Sequence, residues 1–403
     1  MIDVLRDIQE RLLGALAFSS HRFVFDAFDL EPRLIGLVGP RGVGKTTVLL
    51  QLIKEKLLST RDAFYVSADH IYFTRIGLFD FVRDVYETDG ITRFFVDEVH
   101  KYNGWAQEIK NIYDSFPDVR IVFSGSSSLS LVKGSYDLSR RALLRHLPGL
   151  SFREYLNFRL GTRFAAVSYE DILRNDEPFR EVVEIKGLRG YFNDYLERGY
   201  YPFALEGPDY FFDKIRVVVD KTIYEDIANF FPLKTENLRL FKKLLTYLAT
   251  IPPGALNTHS LARNLGVDDK TADRYLTILI DTGLARALPA AKRGSSQLRK
   301  AEKLFLDNPS LHHAMAHELD QPPDAGTLRE LFFLNTTANA GIKATYGETI
   351  GDVRIGKHSF EIGGRGKGRQ QLRGATGDAF VVKDEILTGH GMTIPLYRFG
   401  FLY

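Results

Sequence analysis

Gly39-Pro-Arg-Gly-Val-Gly44-Lys45-Thr46 is where the chain most plainly carries chemistry. It fits G-x-x-x-x-G-K-[ST], in which glycines let backbone N–H groups converge on phosphate oxygens. Lys45 can reach β- and γ-phosphates, and the Thr46 hydroxyl can ligate Mg²⁺. The expected nucleotide contacts are Gly39, Pro40, Arg41, Gly42, Val43, Gly44, Lys45, Thr46 and Thr47, with ATP and Mg²⁺ as cofactors. Farther along, Thr92-Arg-Phe-Phe-Val-Asp97-Glu98 is an apolar run that ends in two carboxylates. Asp97 is expected to hold the metal, and Glu98 to polarise an attacking water. Ser124, with Ser126 second, is the candidate for a polar group beside the γ-phosphate; the other reading is a serine that caps the following turn. Arg140, Arg141 and Arg145 follow. Arg141 is the candidate to complete a neighbouring subunit's site, against a solvated basic helix face.

These groups need a scaffold that brings them together. Leu34–Val38, Ala63–Ser67, Thr92–Asp97 and Val119–Ser124 read as strands. Thr47–Leu58 has helical periodicity, and residues 1–18 form an amphipathic pattern. Strands alternating with helices predict a parallel α/β sheet with the ligand at its carboxyl edge.

The run Asp97-Glu-Val-His-Lys-Tyr-Asn-Gly-Trp105 through Asp114 resembles that of prokaryotic AAA-type ATPases with a C-terminal accessory domain of uncharacterised function. Ile121–Ser128, Leu138-Ser-Arg-Arg141 and Leu150-Ser-Phe-Arg-Glu-Tyr155 are similar to the same family. There a glycine precedes the last arginine of the third motif; here Arg140 stands in its place. The resemblance implies ATP binding and hydrolysis in residues 1–150, and names no substrate.

Residues 151–235 read as a helical lid or linker, with tyrosines and phenylalanines at core-like spacing. Residues 236–295 read as a winged helix: Leu261–Val267, a turn at Gly266, and a recognition helix Thr271–Thr282 capped by Asp268. Asp268, Asp269 and Asp273 oppose phosphate binding there. Residues 296–403 resemble an α/β restriction-endonuclease-like domain. Asp352 and Glu361 are its candidate carboxylates and Glu330 assists. Gly363 occupies the place of the expected lysine, which leaves Lys367 as a substitute from the loop. His313 and His317, four apart, would suit zinc, but no third ligand stands at fixed spacing.

The 403 residues carry 53 Lys+Arg against 51 Asp+Glu, a net charge of +2, and no cysteine. That excludes disulfides, thiolate metal sites and a cysteine nucleophile. It also gives no global drive toward nucleic acid, so DNA contact rests on the winged helix and the basic stretches 292–303 and 365–373. Without a signal-like or membrane-length apolar run, the expected setting is cytoplasmic, away from the membrane. The reading is Mg-dependent ATP hydrolysis, with nucleotide state coupled to C-terminal modules that contact a protein or DNA partner. A homo-oligomer would let Arg141 act in trans. The alternatives are a non-hydrolysing nucleotide switch and an ATP-gated nuclease.

Overall fold

The computed structural model describes residues 2–16, 20–125, 138, 140–174, 176–254, 257–290, 303–347, 351–374 and 378–403. Two compact units divide the chain at Gly149/Leu150.

Unit 1 is a five-stranded parallel sheet between helical layers. Its strands are β1 (Leu34–Val38), β2 (Ala63–Ser67), β3 (Arg93–Asp97), β4 (Arg120–Gly125) and β5 (Leu143–His146), in the order β2-β3-β4-β1-β5. Alternate residues of β1 to β4 feed opposite layers, as the two-residue period of a strand requires. Leu34, Phe94, Ile121 and Phe123 pack with helices Leu78–Asp89 and Trp105–Ser115. Ile35, Leu37, Tyr65, Phe95 and Val122 face Val48 and Leu49 of α1 (Lys45–Gln51), which continues as a π-helical turn over Leu52–Lys56. Burial on both faces explains why these strands read as continuous apolar runs.

The edge strand β2 is covered by the helix Ile2–Ala15. Gln9 donates to the carbonyls of Thr60 and Ala63, and its own carbonyl accepts from Tyr65 N–H at 2.7 Å. One side chain thus satisfies backbone groups that an open edge would leave exposed.

β5 corrects one of the two alternatives weighed for Arg140, Arg141 and Arg145, a solvated basic helix face, because Arg145 lies on a strand. Leu143-Leu-Arg-His146 is all exposed, so it lacks the alternation that marks a half-buried strand. Pairing with β1 makes it extended.

Unit 2 has two cores that cross the expected divisions at 235/236 and 295/296. Phe152–Leu196 packs with residues 331–401. Tyr200–Ile227 packs instead with the helices that follow it and with Leu311 and Met315. The two halves of residues 151–235 are thus buried in different cores. The second core contains α2 (Phe211–Lys221), extended by a π-helical stretch Thr222–Ile227, then α3 (Thr235–Thr250), α4 (Thr258–Leu265) and α5 (Asp269–Asp281). Asp268 caps α5 by accepting from Thr271 N–H at 2.9 Å. An antiparallel pair follows, β6 (Ala285–Leu288) with β7 (Lys303–Leu306). After α6 (Pro309–His317) and α7 (Ala325–Asn339) comes a mixed sheet ordered β12-β11-β10-β9-β8. Its members are Thr345–Tyr346, Val353–Ile355, His358–Gly363, Ala379–Lys383 and Thr393–Pro395, numbered β8 to β12 in chain order. Among the described residues no helix is long and apolar enough to cross a membrane.

Candidate functional site

The loop Gly39–Gly44 leaves β1 and enters α1. Gly42 and Gly44 sit at φ of 79° and 90°, in the left-handed region where a side chain is strained. Lys45 is buried, and its ammonium donates to the carbonyls of Gly39 and Pro40 at 2.9 and 2.8 Å. These two bonds hold the ammonium against the first residues of the loop.

Asp97 ends β3 beside this loop and is 2% exposed. Its Oδ2 accepts from the Thr46 hydroxyl at 2.6 Å and the Tyr65 hydroxyl at 3.0 Å. Its Oδ1 accepts from the Glu98 N–H at 3.1 Å and from the Ser124 hydroxyl. Four donors fix the carboxylate, which keeps a buried charge tolerable. Burial first, and the neighbouring Asp97 charge second, push the Tyr65 hydroxyl well above its ordinary pKa, so it stays a donor. The oxygen donors of Thr46 and Asp97 suit Mg²⁺, a hard cation.

Glu98 lies at φ 53°, an uncommon place for a non-glycine residue. Its N–H donates to Ser124 Oγ as well as to Asp97, which pins that turn. Its carboxylate is approached by Lys101 at 3.8 Å and His100 at 3.6 Å. Lys101 also holds Asp69 at 3.0 Å. Burial draws Lys101 down, but the bond to Asp69 and both acidic charges outweigh it and leave its pKa raised. Ser124 is fully buried at the end of β4, with its hydroxyl committed to Asp97.

Arg141 packs on Asp114 within unit 1, with contacts of 3.2 and 3.3 Å. Arg41 and Thr47 lie on the loop and the first turn of α1, and Ser126 lies outside the described residues. Two contributors carry no motif. Tyr65 is one; the other is Arg22, 4% exposed, which donates to Val43 O at 2.6 Å, Pro148 O at 2.7 Å and Gly149 O at 2.9 Å. Arg22 ties the phosphate loop to the segment after β5. No spacing rule could reveal this, because its partners are backbone carbonyls.

In unit 2 a second polar cluster forms. Lys367 reaches Glu361 at 2.6 Å and Asp352 at 4.0 Å. Lys303 holds Glu330 at 2.7 Å. Gln371, in the amide orientation its neighbours require, donates to both Glu361 oxygens. Burial raises the pKa of Glu361 and Glu330, and the lysines oppose it. Among the described residues no group of three or more His, Asp or Glu is arranged to hold a metal. That includes His313 and His317. Of the basic stretch 292–303 only Lys303 is described, the rest lying outside; in 365–373, Lys367 is committed inward and Arg369 donates to Ala379 O.

Compared with known proteins, residues 31–156 match the family model of the AAA domain. Residues 189–322 match that of a domain of unknown function, DUF8612. Residues 31–156 are accordingly an AAA-type P-loop domain. The uncharacterized protein MJ1637 of Methanocaldococcus jannaschii is 30% identical over 307 residues, 72% of this chain; the match spans 64% of that relative's length. Among solved structures, the S. cerevisiae Hsp104-ADP complex matches at TM-score 0.35 and 15% identity, over 67% of this chain and 41% of that one. AMPPCP-bound DnaA from Aquifex aeolicus matches at TM-score 0.26 and 14% identity, over 68% and 86%. Superpositions that loose carry no statement about activity.

Proposed function

We propose that the AAA-type domain hydrolyses ATP with Mg²⁺ at the carboxyl ends of β1, β3 and β4, and that nucleotide state is passed to unit 2, which contacts a protein or DNA partner. The observation that carries it is the convergence on Asp97: Thr46 from the phosphate loop, Ser124 from the next strand and the N–H of Glu98 all bond one carboxylate. Gly39 to Thr47 would cradle the phosphates, with Lys45 aimed at the β,γ pair. Bound at Thr46 and Asp97, Mg²⁺ would supply positive charge to the phosphate oxygens. Glu98 would accept a proton from water, while His100 and Lys101 limit its swing. Ser124 acts by positioning Asp97 and Glu98. Arg141 would have to leave Asp114 to serve a neighbouring copy in an oligomer.

Steady-state phosphate release, with and without Mg²⁺, tests this. Tight ATP binding with no release would favour a non-hydrolysing switch.

Helices α3 to α5 followed by the β6–β7 pair support a winged-helix reading of unit 2. A nucleolytic second reading is favoured by one observation. Gly363 stands where a lysine is expected, and a Cβ there would lie 2.6 Å from the side chain of Lys367. The glycine leaves the path by which Lys367 reaches Glu361. Metal-dependent DNA cleavage lost in Asp352→Ala would support that reading, and no cleavage under varied metals would remove it.

A further inference from the structure

One face of α3 borders an open groove of about 540 Å³ that no motif marks. Arg239, Lys242, Lys243 and Tyr247 line it from α3 at helical spacing, together with Tyr224 of the preceding helix and Gln321. Lys242 is held by Asp220 at 3.4 Å and lies 4.0 Å from Glu318. Glu318 is in turn bound by Arg216 at 3.0 Å. Asp220 and Glu318 are therefore compensated, while Asp320, between the lining residues Leu319 and Gln321, is exposed. Arg239 and Lys243 are exposed and make no ion pair or hydrogen bond with any described residue. Tyr224 is 49% exposed and has no aromatic neighbour among the described residues.

Two uncommitted cations beside two tyrosine rings suit a polymer that offers phosphates and flat bases together. An acidic peptide would use the cations and leave the rings idle. A duplex would hide its base faces in the stack. We propose that this groove binds single-stranded nucleic acid, with Arg239 and Lys243 on phosphates and Tyr224 and Tyr247 under bases. None of its lining residues belongs to α5, whose aspartates repel phosphate, or to the stretches 292–303 and 365–373. The proposal gives unit 2 a partner class and does not rest on the ATP reading.

The test is fluorescence anisotropy of a labelled oligothymidylate on the full chain, without nucleotide or Mg²⁺, so failure of the ATP reading leaves it untouched. Arg239→Gln with Lys243→Gln should weaken binding at least about tenfold and flatten the plot of log affinity against log salt by about 1.4, the value for two single-strand phosphates. Tyr224→Leu should weaken binding at least about fivefold and Tyr224→Phe should restore it, since the ring supplies the stacking. If the double variant fails to fold, as judged by its thermal midpoint, the Tyr224 pair decides. No binding by the wild type, or equal binding by these variants, overturns the proposal. So does competition by polyglutamate as effective as that by unlabelled oligothymidylate.

Discussion

The Thr46 hydroxyl donates to Asp97 Oδ2 at 2.6 Å, although 51 positions separate the two residues. The bond joins the helix after the phosphate loop to the tip of β3. Asp97 is saturated by donors that differ in kind, so its replacements should separate folding from chemistry. In Asp97→Asn the new NH₂ must face a donor on one side or the other, leaving buried groups unmatched. We expect a loss of about 1–3 kcal/mol by urea unfolding, together with loss of Mg²⁺-dependent ATP binding. A variant with wild-type stability and wild-type metal dependence would contradict the arrangement.

Glu98→Gln keeps the backbone N–H that bonds Ser124 and Asp97, and removes only the proton acceptor. ATP affinity should hold while phosphate release falls by about a hundredfold or more, within the range for loss of a general base. Unchanged turnover would remove the assigned role of Glu98.

Arg22→Met strips three buried carbonyls, those of Val43, Pro148 and Gly149, of their donor. The expected cost is about 3 kcal/mol, since each unsatisfied group costs roughly 1–3 kcal/mol and some regain water. ATP affinity should fall too, because Val43 lies within the phosphate loop. Thermal melting and nucleotide titration read the two effects separately.

His312 lies on α6, 1% exposed, and neither ring nitrogen has a partner among the described residues. Burial pushes its pKa down to about 4, and burial does the same to His313. For a base held low in the fold, the unfolded chain binds more protons below about 6.5. Stability from these residues is therefore full above about 6.5 and lost as pH falls toward about 4. The melting midpoint should drop across that window, and His312→Leu should flatten the drop; an identical profile would refute the assignment.

The phosphate loop, the carboxylate pair and four of the five strands of unit 1 were legible because each is local. Gly39–Thr46 is contiguous, and Asp97 and Glu98 end an apolar run. β5 was not, since an exposed edge strand is made by its partner and not by its own pattern. Arg22 was not, since any backbone carbonyl can accept its protons.

Unit 2 follows the same division. Helical period and cap residues such as Asp268 and Gly266 determined where α4 and α5 run, because those signals act within a turn or two. Tertiary structure alone decided that residues 151–235 are shared between two cores, and that Lys367 reaches Glu361 over Gly363. Burial and long-range pairing depend on which surfaces meet, and no local spacing encodes that. Local pattern alone specifies a phosphate-loop motif and a carboxylate pair; which side chains stand around them follows from the fold, because burial and pairing join residues far apart in the chain.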